Sequence, residues 1–355
     1  LRSVFPDLAP ELVAACMEAF SLEDAASEKC AFPAGNLCTR EALEMASGAV
    51  AAALHASLLP SRGVLCDIAA GVGGDALALA RRAEGLLCIE ADAVHARMLA
   101  HNLAQAGRRN ALVLRGSAER WLPLLQTGRL AGVFADPARR RDGRRHVGTQ
   151  EYRPSLEILA QLPATLPVLV KIAPGADPPP GWSVATVAVG GQCLEQLLSR
   201  GCDLPPVAAL RAEDGARWIP VSRPAVRVDR PRFLIEAHAA IIRTGHVAEY
   251  FREHGAEAID PHIAYGWSGS QPDSSDWHSS FRLLRVEAFN RKRLRRIAAE
   301  LDFGPETEIK KRGFPDTPEQ IRAQIRLRGK RNGVIFLTRR GERHLMLFAE
   351  RLERE

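Results

Sequence analysis

From Gly63 to about residue 200, short apolar runs alternate with stretches whose apolar positions recur at helical spacing. The runs predict strands at 64–68, 86–90, 111–115, 131–135, 167–172 and 183–189; the spaced stretches predict helices at about 75–83, 93–106, 117–126, 152–161 and 193–199. Strands this continuously apolar, alternating with helices, imply a parallel sheet covered on both faces. Ahead of them, residues 1 to about 60 read as helices rich in Ala, Leu and Glu, with Thr39 in the N-cap place of one. The Pro- and Arg-rich stretch 202–236 reads as the sheet's last hairpin followed by a linker. Beyond it, PRFLIEAHAAIIRTGHVAEYFREHG has helical spacing, GWSGSQPDSSDWHSS is a polar loop and FRLLRVEAF a strand. A basic helix at 290–301 follows, then a helix capped by Thr317 with Pro318 in its first turn, and a strand pair turning at Arg340-Gly341.

The candidate chemistry gathers where strands end. In VLCDIAAGVGGD, Asp67 closes an apolar run, and Gly71, Gly73 and Gly74 let backbone approach a ligand before a helix whose first amides are free donors. The same residues satisfy G-x-G-x-x-G/A, with Glu90 at the distance of a ribose-binding acid, so a nicotinamide dehydrogenase is a rival reading. Two features favour another adenosine cofactor: the acid that precedes the glycines, and Val133-Phe134-Ala135-Asp136-Pro137-Ala138-Arg139 on the fourth strand. Asp136 followed by Pro137 fixes a turn exposing a carboxylate and a carbonyl, two acceptors that can hold an amino group and aim its lone pair. Asp92 is placed to cap the next helix. Ser117 and Ala118 come to the same sheet edge, where Ser117 either meets a base or caps its own helix.

Composition narrows the class. The 355 residues, 46% of them hydrophobic, allow two or three domains with real cores. No run approaches the ~20 apolar residues of a membrane span, and the opening residues lack the pattern of a signal peptide, so a soluble cytoplasmic protein is expected. Seven cysteines form no C-x-x-C pair or Cys/His cluster, which argues against a metal site. Cys193 as a nucleophile lacks a matching base motif, and the scattered histidines 238, 246, 254, 262 and 278 read as structural.

Charge is divided unevenly. Residues 282–355 hold 20 Lys and Arg against 11 Asp and Glu, a balance of +9 within a chain of +6, so that segment points to a polyanion. Lys311, Arg312, Arg328 and Lys330 are its candidate contacts. Arg139, Arg140, Arg141, Arg144 and Arg145 crowd the loop after Asp136-Pro137 and read as phosphate contacts, and Lys171, ending the fifth strand, is expected to face the same cleft and contact substrate.

AAGVGGD after Asp67, Glu90 and FADPAR together resemble a class I methyltransferase that uses S-adenosylmethionine. NLCTREALEMAS, DPARRR, VKIAPGAD and IKKRGFPDTPEQIRAQIRLRGKRNGVIFLTR resemble, more closely, a bacterial methyltransferase group with a C-terminal THUMP-like domain, over nearly the whole chain from Asn36. The resemblance implies an α/β fold: a doubly wound, seven-stranded Rossmann-like sheet (61–235) between an N-terminal helical segment (1–60) and a C-terminal α+β module. In that module a small ferredoxin-like segment (236–281) precedes a THUMP-like, RNA-binding one (282–355). It implies S-adenosylmethionine held by Asp67, Ala69, Gly71, Gly73, Gly74, Asp75, Glu90, Ser117 and Ala118, with Asp136, Pro137 and Arg139 catalytic, RNA as partner, and no metal or membrane. Two departures stand out. Ala69 replaces the first glycine of the usual loop, and no aromatic follows Asp-Pro-Ala, which weakens amino-group methylation relative to methyl transfer in general. Alternatives are a catalytically silent RNA-binding protein with a retained pocket, and a small-molecule or protein methyltransferase.

Overall fold

The computed structural model describes residues 10–125, 127–137, 140–141, 144–145 and 152–353. The chain forms two compact units, Leu1–Trp218 and Ile219–Glu355. In the first, helices α1 (Pro10–Cys30), α2 (Arg40–Met45) and α3 (Ala49–Ser57) precede the sheet. Thr39 caps α2 by accepting from the Ala42 N–H at 3.1 Å. The alternating part then runs β1 (Val64–Ile68), α4 (Gly74–Arg82), β2 (Gly85–Glu90), α5 (Ala93–Gln105), β3 (Ala111–Arg115), α6 (Ala118–Trp121) and β4 (Leu130–Ala135). After the short strands β5 (Arg140–Arg141) and β6 (Arg144–Arg145) come α7 (Leu156–Ala160), β7 (Val168–Ile172), β8 (Ser183–Val189), β9 (Gln192–Arg200), β10 (Val207–Arg211) and β11 (Arg217–Trp218).

The sheet order is β3-β2-β1-β4-β7-β9-β8-β10-β11, with β1, β2, β3, β4 and β7 parallel. Apolar side chains fill both faces. Leu65, Phe134, Leu169 and Leu197 pack with Leu77, Leu79 and Leu99 of α4 and α5, and Cys66, Ile68, Val133, Val170 and Ile172 pack with Leu156 and Leu159 of α7. Burial on both faces is why these strands read as unbroken apolar runs. Three expectations need correction. Among the described residues the sheet has nine strands rather than seven. The stretch 193–199 is a strand: Leu194, Leu197 and Leu198 mimic helical spacing, but β9 is an antiparallel strand inserted between β7 and β8, with Glu195–Ser199 continuously buried. The helices expected at 117–126 and 152–161 are only the short α6 and α7; Tyr152, ahead of α7, instead accepts the Ala173 N–H at 3.1 Å.

The second unit contains β12 (Phe233–Ala237), α8 (Ala239–Arg243), α9 (Val247–Glu253), β13 (Glu257–Asp260), β14 (Ile263–Ser268), β15 (His278–Ala288), α10 (Arg291–Glu300), β16 (Glu308–Lys311), α11 (Pro318–Gln324), β17 (Val334–Arg340) and β18 (Arg343–Arg351). Their sheet order is β13-β14-β12-β15-β18-β17-β16. The helical reading of 231–255 is corrected at its start, where FLIEA is the strand β12, paired between β14 and β15. Strand β15 crosses residues 281 and 282, so the segments 236–281 and 282–355 share one sheet. Phe303, Ile321, Ile335 and Phe348 form one core with α10 and α11; Tyr265, Trp267, Phe281, Phe336 and Leu347 form a second.

Candidate active site

The chain runs outward from β1 to β2 and β3, then returns to β4 on the other side of β1. This reversal opens a crevice at the carboxyl ends of β1 and β4. Ile68 pairs with Ala135, and the Asp136 N–H donates to the Ile68 carbonyl at 3.3 Å, so the glycine loop and the Asp-Pro corner are direct neighbours. A cavity of about 490 Å3 opens there. Asp67, Ala69, Gly71, Gly74, Asp75, Glu90, Ser117, Ala118, Asp136 and Pro137 all line it, joined by Ala42, Glu44, Met45, Ala46 and Ser47 from the N-terminal segment and by Arg153 and Pro154. Helix α2 and the turn that follows it thus supply a wall of the cavity.

Local backbone explains the loop. Ala69 sits at φ 59° and Gly71 at φ 57°, both left-handed, so the residue replacing the usual first glycine adopts a glycine-like conformation despite its Cβ. A Cβ on Gly71 would meet nothing within 4 Å, leaving the backbone open to the cavity, whereas one on Gly74 would lie 3.0 Å from the Ser47 carbonyl. Gly73 packs inward instead: its Cβ would fall 2.9 Å from Leu99 Cδ1. Glu90 accepts the Gly71 N–H through Oε2 and the Asp92 N–H through Oε1, both at 2.8 Å, tying the end of β2 to the loop. Asp92 itself caps α5, accepting from Val94 and His95. Ser117 occupies the cap position of α6 but makes no cap hydrogen bond, and its exposed hydroxyl lies on the cavity wall.

Asp67 is 1% exposed, and neither carboxylate oxygen has a hydrogen-bond partner. Burial, reinforced by the nearby carboxylates of Asp75, Asp136 and Glu90, pushes its pKa well above the usual aspartate value. A buried orphan acid on a cavity wall fits a cationic ligand, and the amino-acid tail of S-adenosylmethionine carries an ammonium. The lining residues therefore fit this cofactor.

The largest electrostatic feature was not legible as a motif. His55 of α3 lies between two carboxylates, with Nδ1 2.7 Å from Asp75 and Nε2 on Glu195, and its ring stacks on Phe134. Burial opposes the imidazolium, but Glu195 and Asp75 outweigh it and raise the pKa to about 10, so both ring nitrogens donate. Lys171 continues the chain: its ammonium pairs with Asp136 Oδ2, donates to Ser47 Oγ at 2.8 Å and lies 3.9 Å from Glu195. Burial opposes this charge too, yet Asp136, Glu195 and Asp75 hold it above the ordinary lysine range. Charges alternate along Asp75, His55, Glu195, Lys171 and Asp136. Two expectations change accordingly. Lys171 is 3% exposed and holds Asp136 rather than facing substrate, and Asp75 is engaged by His55 while it borders the cavity. The hint in the sequence was a lone ionisable residue in each of two apolar elements, His55 in AVAAALHAS and Lys171 in VLVKI; Glu195 sits in the mixed stretch QCLEQLLSR and carried no such signal.

Arg139 lies outside the described residues; Arg140, Arg141, Arg144 and Arg145 are described only as backbone in β5 and β6. The remaining predicted contacts belong to the second unit. Lys311 donates to the Phe314 carbonyl at 3.1 Å, and Arg312 lies 4.0 Å from Glu236 and over the Tyr265 ring, so both are committed internally. Arg328 and Lys330 are exposed. Among the described residues no group of His, Cys, Asp or Glu is arranged to hold a metal ion, and no helix is long and apolar enough to cross a membrane.

Residues 278–351 match the family model described as THUMP domain-like. An uncharacterised S-adenosylmethionine-dependent methyltransferase of Mycobacterium tuberculosis, known from strains CDC 1551 and H37Rv, is 30% identical, with 96% of each chain covered. A solved structure from Porphyromonas gingivalis W83, described as a methyltransferase, superposes with a TM-score of 0.82 over 98% of this chain and 92% of its own, at 21% identity, and so shares the fold. With a relative 30% identical over 96% of each chain and the THUMP domain-like match at its end, the chain belongs to the S-adenosylmethionine-dependent methyltransferases that carry a C-terminal THUMP-like domain.

Proposed function

We propose that this protein methylates RNA, with a base amino group presented to Asp136 and Pro137. The observation that carries the reading is the single cavity walled on one side by Asp67, Gly71 and Glu90 and on the other by the Asp-Pro corner. The THUMP-like segment and its positive excess support a nucleic-acid substrate over a small molecule.

When bound, S-adenosylmethionine supplies an electrophilic methyl group. The chain's own part is positioning. Asp67 pairs with the ammonium of the methionine tail, Glu90 accepts from the ribose hydroxyls while holding Gly71, and Ser117 meets the adenine edge. Lys171 occupies Oδ2 of Asp136. That leaves Oδ1, with the Pro137 carbonyl, to accept the two hydrogens of an exocyclic amine and turn its lone pair toward the methyl group. Asp136 Oδ1 is then also the nearest acceptor for the proton the amine must lose.

The test is transfer of labelled methyl groups into total RNA from a strain lacking the protein. Wild type should label RNA. Asp67→Ala and Glu90→Ala should weaken cofactor binding in calorimetry by tenfold or more, on the order of 1.4 kcal/mol. Asp136→Ala should bind cofactor normally and transfer nothing. Label entering only protein or small molecules overturns the RNA reading.

A further inference from the structure

Most of the C-terminal positive charge is already committed within the second unit. Arg291 pairs with Asp316 at 3.0 Å, Arg293 with Glu287 at 3.5 Å, Arg296 with Glu300 at 3.3 Å and Arg351 with Glu308 at 3.2 Å. Arg295 donates to the Gln324 carbonyl at 2.7 Å, fastening α10 to the end of α11. The loop leaving α11 behaves otherwise. Arg326, Arg328 and Lys330 are exposed, and none makes a hydrogen bond, ion pair or ring contact with any described residue.

Their neighbours turn the other way. Exposure alternates residue by residue from 326 to 330, with Leu327 packed against the core beneath α10 and α11 and Gly329 half-buried. The loop is fixed by main-chain bonds: the Gly329 N–H donates to the Phe303 carbonyl and the Arg331 N–H to the Asp302 carbonyl, both at 2.9 Å. The approach is so close that a Cβ on Gly329 would fall 2.0 Å from the Asp302 carbonyl oxygen, and one on Gly333 2.3 Å from the Phe303 ring. Three uncompensated cations therefore stand on one side of a backbone that has little freedom left to lose on binding.

We propose that Arg326, Arg328 and Lys330 form a preorganised edge that grips the phosphate backbone of RNA and reads its charge rather than its sequence. The stretch IRLRGKRNG offers no aromatic ring to stack on a base, so the edge meets backbone phosphates. This proposal rests on the RNA reading above and specifies which part of the second unit holds the substrate.

Full-length protein is titrated with a fluorescein-labelled single-stranded RNA of mixed sequence over a series of KCl concentrations. The triple variant Arg326→Gln, Arg328→Gln, Lys330→Gln should weaken binding at least tenfold at low salt. It should also flatten the plot of log K against log salt by about 2, roughly 0.7 for each phosphate no longer neutralised. Lysine at 326 and 328 should restore the slope. The control removes as much charge from other exposed residues, Arg282→Gln, Arg285→Gln, Arg343→Gln, and should leave the slope near wild type. Equal losses in the two triple variants would reduce the effect to net charge and overturn the proposal, and so would an unchanged slope in the loop variant. In both cases RNA methylation itself could still stand. Failure of the wild-type protein to bind or methylate RNA would remove the RNA reading and the edge together.

Discussion

Asp67 has lost its water, found no donor in return and acquired three acidic neighbours. Such a carboxyl keeps its proton above the pH at which an ordinary aspartate ionises, and a cationic ligand beside it favours the charged form. Cofactor binding should therefore release a proton, and affinity should rise with pH from just above the usual aspartate range up to the raised value. Calorimetry in two buffers of different ionisation enthalpy checks this directly: Asp67→Asn should bind more weakly, with no proton release and a flat pH profile. Binding with no proton release in wild type would place the ammonium elsewhere. Asp67, Gly71, Glu90 and Asp136 were all legible in the sequence because each ends a strand or opens the next turn, and strand order places strand ends. Side-chain direction was less legible. Lys171 was read as facing the cleft, but β7 is buried throughout, and a lysine inside such a strand must find acids in the protein interior.

At the level of elements, α3, α4, β7, β9 and the corner after β4 each contribute one member of the alternating charge chain, so the chain clamps α3 to both rims of the crevice. His55→Gln leaves Asp75 and Glu195 without their shared cation and should cost about 3–5 kcal/mol in urea denaturation. The pH dependence carries the sign. The folded-state pKa of His55, about 10, exceeds its ordinary 6.5, so its contribution is complete below about 6.5 and disappears as pH rises to about 10. The slope approaches ~1.4 kcal/mol per pH unit. Asp75 and Glu195 are shifted down, so their contribution is present above the usual carboxylate values and lost in acid. His55→Gln should flatten the alkaline limb; an unchanged limb would mean that His55 is neutral in the folded protein. The sequence hid this chain because its members are far apart, with 140 residues separating His55 from Glu195. It did carry a signal for β9. Gly190-Gly191, both at positive φ, is a two-residue hairpin turn, and leucine spacing alone gave the helical reading that it contradicts.

For the whole molecule, function divides along the chain as the cores do. Among the described residues, every one that lines the cavity falls between Ala42 and Pro154, inside the unit that ends at Trp218, and that unit's buried hydrophobic residues extend no further than Trp218. The positive excess and the THUMP-like match both lie beyond it. Composition revealed this asymmetry, though not the boundary: charge counting begins the basic segment at Arg282, within β15, whereas that strand joins β12 to β18 in one sheet. A shortened protein ending at Trp218 should fold cooperatively and bind S-adenosylmethionine within about threefold of the full chain, a difference of roughly 0.6 kcal/mol. Its transfer to RNA should be lost if, as proposed, the cavity holds the cofactor and the second unit holds the substrate. Calorimetry and labelled-methyl transfer on the same preparation separate the two. Retained transfer would return the substrate to the cavity mouth, where Arg153 is the exposed cation among the described residues, and would favour a small acceptor over RNA. Loss of cofactor binding together with folding would instead show that the sheet depends on the second unit, and the division of labour drawn from the two cores would fail with it.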